Sequence, residues 1–230
     1  LGTARILYDS AELIAASKPE GMPVIPDRSP GREDLRRVLE QETACRLFVV
    51  HRIDADTSGL VVFARTPDAH RLLSMQFEHG TASKVYLALV LGRPREDRGT
   101  IDLPLRVFGS GRVAVDIPGG KPSVTDYEVL ERHESHSLLA VRPRTGRRHQ
   151  IRAHLYASGH PIAGDRRYGC RSSQILLPRM MLHAFVLTVE APGGTVLRLE
   201  CPPPASFTEV LEMSRAGTLP CGGGAADDDR

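Results

Sequence analysis

A chain of 230 residues and 25.2 kDa, with 41% hydrophobic and 25% charged side chains, has the make-up of one large globular domain or two small ones and can bury a sizeable core without staples. No Trp and only 5% aromatics exclude an extended aromatic platform for single-stranded nucleic acid. The net charge of +2 looks too small for a polyanion binder, but all 30 basic residues except Lys18, Lys84 and Lys121 are arginines, whose forks suit phosphates and planar bases; a GC-rich coding sequence would give the same total.

In chain order, Arg5–Tyr8 and Leu13–Ala16 are apolar runs split by the turn-forming Asp9-Ser10, which predicts two strands. Pro and Gly punctuate Lys18–Pro23 too often for a helix. A short helix is expected over Glu33–Glu40, and buried strands over Phe48–Val50 and Leu60–Phe63. Thr66 followed by Pro67 is a helix start, and Ala69, Leu72, Leu73 and Phe77 supply its apolar stripe. From Lys84 to Arg142 the pattern is mostly β: Val85, Leu87 and Leu89 alternate, then Ile101, Leu103 and Leu105, before Val124–Leu130 and Leu138–Val141. A helix over Arg148–Ser158 stops at Gly159, strands follow at Ala184–Val189 and Val196–Leu199, and a terminal helix is expected near Thr208–Met213. These elements lack regular βαβ alternation, so the expected class is α+β with a mixed, largely antiparallel sheet. One domain over residues 1–215 and a disordered tail over 216–230 are expected. Cys45, Cys170, Cys201 and Cys221 show no CxxC spacing, no apolar run approaches a membrane span, and no secretory leader is visible; a reducing, cytoplasmic protein without a membrane segment is expected.

Three segments carry polar chemistry. His51–Gly59 lies between two apolar strands, so its polar residues sit on a loop at a sheet end, where Asp54 and Asp56 could serve as nucleophile, base or metal ligand, or simply stabilise a turn. Thr145–Leu155 holds Arg147, Arg148 and Arg152, with Arg142 and Arg144 before it and Arg166 and Arg167 after. With Thr145 as cap, free N–H groups and arginines would converge at one helix end, an arrangement for a phosphate; the alternative is a solvated basic face. The five arginines between 142 and 152 have no acidic residue among them and would repel one another, which favours a polyanion. His149 and His154 do not share a helix face, so no metal site is expected. Lys84 and Tyr86 alternate on one strand face and could project an ammonium and a phenol together, although strand aromatics are more often packing residues.

In this order the segments resemble the motifs of the RluA family of pseudouridine synthases. Lys18-Pro19-Glu20-Gly21-Met22 has the form Lys-Pro-x-Gly-hydrophobic, and His51–Gly59 the form His-Arg-hydrophobic-Asp-x-x-Thr-Ser-Gly. Lys84-Val85-Tyr86 and Thr145–Arg152 follow, then Gly159-His160-Pro161-Ile162, Gly164-Asp165-x-x-Tyr168-Gly169 and Leu182-His183-Ala184, a likeness over about residues 5–208. The first motif departs by continuing as Pro23-Val24-Ile25-Pro26 where many members carry His, and no S4 RNA-binding domain is expected before the first strand.

The resemblance implies the pseudouridine synthase fold with a central RNA-binding cleft, and roles for individual residues. Asp54, not Asp56, falls on the catalytic aspartate; Tyr86 on the tyrosine that stacks on uracil and acts as a base; Arg152 on the basic partner of the aspartate; Ile151 on an apolar pocket residue; and Arg52 on an arginine that fills the space left by an extruded nucleotide. Thr57, Lys84, Arg147, Arg148, His149, Arg166 and Arg167 would contact the substrate RNA. The implied reaction breaks the N1–C1′ bond of a uridine in rRNA or tRNA and rejoins C5 to C1′, with no metal, nucleotide or redox cofactor and no obligatory protein partner, in a monomer. Two other classes fit the residues: a non-catalytic RNA-binding or assembly protein on the same fold, and a hydrolase using Asp54 and Asp56 as a carboxylate pair.

Overall fold

The structure, a computed structural model, describes residues 3–27, 31–169 and 177–219. In chain order its elements begin with β1 (Arg5–Asp9), β2 (Leu13–Lys18), α1 (Leu35–Thr43), β3 (Phe48–Val49), β4 (Ser58–Ala64), α2 (Pro67–His79) and β5 (Ser83–Leu91). There follow β6 (Arg98–Asp102), β7 (Leu105–Val107), β8 (Val113–Val115), β9 (Val124–Arg132), β10 (His136–Pro143), α3 (Gln150–Ala157), β11 (Leu182–Glu190), β12 (Val196–Glu200) and a last helix, α4 (Ala205–Arg215). The chain divides into two compact units, Leu1–Tyr86 with His183–Pro203 and Leu87–Leu182 with Pro204–Arg230, and it passes from the first to the second within β5. The tail expected to be disordered lies, from residue 220 onward, outside the described residues.

The first unit is organised around β4, whose seven residues are all buried, as a continuous apolar run at the centre of a sheet requires. β2 lies antiparallel along it from Leu13↔Ala64 to Lys18↔Gly59, and β11 runs parallel beside it at His183↔Ser58 and Ala184↔Gly59. β1 pairs with β2, β3 with β4 and β12 with β11, all antiparallel. Alternate residues of β2 and β4 feed two cores. Leu13, Leu60 and Val62 meet Leu73 of α2 and Leu187 on one face; Ile14, Val61 and Phe63 meet Leu35 and Leu39 of α1 on the other.

The helix starts follow local chemistry. The Thr66 hydroxyl accepts the Ala69 N–H with Pro67 in the first turn, as the sequence predicts, and Gly80 ends α2 at φ 73°. α1 starts later than the expected Glu33, because Asp34 accepts the Arg37 N–H and so becomes the cap.

In the second unit β6, β9 and β10 form an antiparallel sheet, in unbroken register from Arg98↔Glu128 to Asp102↔Val124, and from Ser137↔Arg132 to Pro143↔Thr125 with a one-residue shift between Leu138 and Leu139. The alternation at Ile101, Leu103 and Leu105, read as one strand, is two. Pro104 has no N–H for a ladder, β6 ends before it, and Leu105 opens β7, which pairs with β8 as a separate hairpin that the sequence reading missed. Apart from β4 with β11, these pairings are antiparallel, so the expected α+β class with a mixed, largely antiparallel sheet is found. Among the described residues no helix is long and apolar enough to cross a membrane.

Candidate active site

In the first unit the motif loop between β3 and β4 is fastened to the loop after β2. Lys18, fully buried, donates from Nζ to three carbonyls, those of Pro19 (2.8 Å), Met22 (2.7 Å) and Ala55 (2.8 Å). The Gly21 N–H also donates to Ala55, at 2.9 Å. A buried ammonium is tolerable only when its donors are satisfied, and three carbonyl dipoles do this while tying the residue next to Asp54 to the end of β2. The Thr57 N–H donates to the Asp54 carbonyl at 3.1 Å, closing the turn. Thr57 is buried, Asp54 half-buried, and Arg52 and Asp56 are exposed.

This turn puts Asp54 beside Tyr86. Burial, and then the charge of Asp54, raise the phenol's pKa, so Tyr86 keeps its proton at neutral pH. Lys84, two residues before it in β5, has its pKa lowered by burial and faces His51. Burial first, and Lys84 second, depress His51 to about 3. The neutral His51 accepts the Val62 N–H on Nε2 at 3.0 Å and stacks on Phe77 at 4.3 Å between centroids, so it is a packed component of the loop. Asp54 and Tyr86, thirty-two positions apart in sequence, are thus brought together within one unit, as are His51 and Lys84.

In the second unit α3 begins at Gln150, not Arg148, and Thr145 does not cap it. The N-cap is His149, a non-glycine residue at φ 50° with no side-chain cap bond. Thr145 instead accepts the Val124 N–H (3.1 Å) and donates to Gln150 Oε1 (2.7 Å), which also accepts the Arg147 N–H at 3.0 Å. The repulsion expected among five arginines is relieved by acids from elsewhere in the chain. Arg142 pairs with Glu128 at 3.0 Å, Arg144 with Asp126 at 2.6 Å and Arg152 with Asp165 at 2.7 Å. Arg147, Arg148, Arg166 and Arg167 are exposed, and among the described residues none has a carboxylate partner.

Arg152 is buried, as is Ile151, whereas Tyr156 is exposed. Its Nε and Nη2 donate to the two oxygens of Asp165 at 2.7 and 2.8 Å, and its guanidinium lies 5.1 Å from the centre of the Tyr168 ring. His149 Nδ1 is 3.0 Å from the Tyr168 hydroxyl. The other histidine of this helix, His154, is buried between Thr125 Oγ1 and the Leu103 carbonyl, its pKa lowered by burial.

Against known proteins, the pattern of the family described as RNA pseudouridylate synthase matches residues 12–157, more than half the chain. The chain belongs to that family. The synthase is 38% identical over 216 residues to an uncharacterized RNA pseudouridine synthase of Zymomonas mobilis, covering 90% of this chain and 96% of that one. It is 36% identical over 201 residues to the dual-specificity RNA pseudouridine synthase RluA of Escherichia coli K12, covering 86% and 92%. Among solved structures, human RNA pseudouridylate synthase domain containing 1 superimposes with a TM-score of 0.79 at 27% identity, over 95% of this chain and 97% of that one. The synthase is thus an RNA pseudouridine synthase of the RluA family, an isomerase acting on RNA.

Asp54, Tyr86, Lys84, Arg52 and Thr57 of the synthase belong to the first unit; Arg147, Arg148, His149, Ile151, Arg152, Arg166 and Arg167 belong to the second. The sequence reading gave no role to Lys18, Asp165 or Tyr168. The only signal was their presence at motif positions, since nothing local to Arg152 shows that a carboxylate thirteen residues on will hold it.

Proposed function

We propose that this synthase isomerises uridine in a stem-loop of rRNA or tRNA, with Asp54 as the catalytic carboxylate, Tyr86 against the uracil and Arg152 as the basic member of the catalytic set. The observation that carries this reading is that the half-buried carboxylate of Asp54, on the loop that bears the family's aspartate motif, lies near the half-buried, protonated phenol of Tyr86 on β5. Such a phenol offers a flat, dry surface to a base. As a base toward the C5 proton it must pass its own proton to an acceptor, the Asp54 carboxylate or water, in the same step, because the phenolate is disfavoured both by burial and by Asp54. The target atoms are inaccessible in a stacked helix, so the nucleotide is extruded, and we assign the filling of the gap to Arg52, exposed two residues before the aspartate. Exposed Arg147, Arg148, Arg166 and Arg167, with His149, are assigned to the RNA backbone. The names of relatives that act on ribosomal RNA or carry dual specificity support the substrate class. We assign the enzyme to the cytoplasm, as a monomer.

Asp54→Asn tests the centre of this reading. It is expected to abolish tritium release from RNA labelled at C5 of uridine while RNA affinity stays within about threefold, the loss falling on the chemical step. Turnover by this variant at the wild-type rate rejects the assignment, and formation of a hydrolysed rather than isomerised product revives the carboxylate-pair alternative.

A further inference from the structure

The geometry points to Tyr168, backed by Asp165, as a positioning residue for Arg152 that also ties it to the β7–β8 hairpin. The inference rests on the reading of Arg152 as part of the catalytic set and adds the means by which that arginine is held.

Arg152 and Asp165 are 5% and 1% exposed, so their two-point pair is a buried one, whose geometry must be well fixed to offset desolvation. It is fixed by a turn: Asp165 Oδ1 also accepts the backbone N–H groups of Arg167 at 2.9 Å and Tyr168 at 3.2 Å. That turn presents Tyr168, itself 1% exposed, with its ring toward the Arg152 guanidinium. The ring alone would serve packing and the cation–π contact, and Phe would supply both. The hydroxyl does something else. It accepts the Val113 N–H of β8 at 3.1 Å and meets His149 Nδ1 at 3.0 Å. His149 is the left-handed residue that opens the helix bearing Arg152, and for a non-glycine residue that conformation persists only where surroundings hold it. One buried phenol therefore joins the hairpin, the strained helix start and the guanidinium.

The hairpin carries features suited to a nucleic acid. Val107 and Phe108 are exposed, Arg112 lies over the exposed Tyr156 ring, and Arg167 reaches from the Asp165 turn to the Ser110 carbonyl. RNA resting on this hairpin bears on β8, and through Val113 and Tyr168 on the orientation of Arg152. A residue acting this way changes the rate of the bound complex more than the strength of binding.

The test compares Tyr168→Phe, Asp165→Asn, Arg152→Lys and Arg152→Ala in the full chain. The readouts are tritium release for kcat, filter binding for RNA Kd, and thermal melting for integrity. Loss of hydrogen bonds to a charged group is expected to lower kcat roughly 10- to 100-fold in Asp165→Asn, and loss of the hydroxyl about 3- to 10-fold in Tyr168→Phe, with Kd within about threefold. In the Arg152→Lys background each change is expected to cost less than about threefold more, because both act through the same side chain. Wild-type kcat in a folded Tyr168→Phe enzyme, or effects that multiply fully in the double variants, overturns the positioning role while an inactive Arg152→Ala leaves the catalytic reading standing. Wild-type turnover by Arg152→Ala overturns both. If Asp165→Asn does not fold, Tyr168→Phe, which keeps the ring and its packing, decides alone.

Discussion

Near Asp54 two groups have shifted acid–base behaviour: the Tyr86 phenol, whose pKa is raised by burial and then by the charge of Asp54, and, two residues earlier on β5, Lys84, whose pKa is lowered by burial. His51 belongs to the same set, and its acid–base behaviour is testable. Its Nε2 lone pair holds the Val62 N–H, so protonation both charges a buried ring and removes an acceptor. A folded pKa of about 3 against 6.5 in the unfolded chain means that the unfolded state binds the proton first as pH falls. The stabilisation from His51 is fully present above pH 6.5 and is lost progressively between 6.5 and 3, amounting to about 2 kcal/mol by pH 5. His136 and His154 shift in the same direction and add to the acid sensitivity. Urea titrations at pH 7 and pH 5 should therefore show lower stability at pH 5, and His51→Gln should shrink the gap by about one proton's worth of linkage. An unchanged gap in that variant would mean that His51 is protonated in the native state.

Among the elements, β4 sets the geometry of the aspartate loop. It enters the sheet at Ser58 and Gly59, where β11 runs parallel against it; Ser58 Oγ lies 2.8 Å from His183 Nδ1, and His183 Nε2 lies 2.8 Å from the Cys201 carbonyl. Gly59 has φ +114°, and a Cβ there would fall 2.2 Å from the Ala184 carbonyl oxygen. Both backbone conformation and space require glycine. Gly59→Ala is expected to cost at least about 3 kcal/mol, since relief would need the β4–β11 pairing to part. Thermal denaturation would register this as a large drop in Tm, and a drop of only a degree or two would show that β11 can move aside. The last glycine of the family motif thus has a structural explanation independent of the chemistry.

Across the whole molecule, charge is redistributed by folding in a way that total composition hides. A net charge of +2 is spread over a chain in which folding pairs Arg142, Arg144 and Arg152 with acids distant in sequence. Arg147, Arg148, Arg166 and Arg167, exposed in the second unit with no carboxylate partner among the described residues, are the set proposed above for the RNA backbone. Removing one of them, as in Arg147→Ala, is expected to weaken RNA binding and to reduce the slope of log K against log salt by about 0.7–0.9. Arg144→Ala, whose charge is already met by Asp126, should leave the slope nearly unchanged. Equal slopes for the two variants would remove Arg147 from the RNA contact.

How much was legible beforehand follows from where each signal resides. The α+β class, most strands, the Thr66 cap and the family motifs are local patterns of residue type and spacing, and a linear chain displays them directly. The break at Pro104 was also local, though the apolar alternation across it concealed two strands. What folding alone decided are relations between distant residues: that Asp54 meets Tyr86, that Lys18 clamps the aspartate loop, that Asp165 and Tyr168 grip Arg152, and that three of five clustered arginines are neutralised. Periodicity assigns a side chain to a face of its own element, but it cannot say which remote group will occupy the space that face looks into, because that depends on how the elements pack.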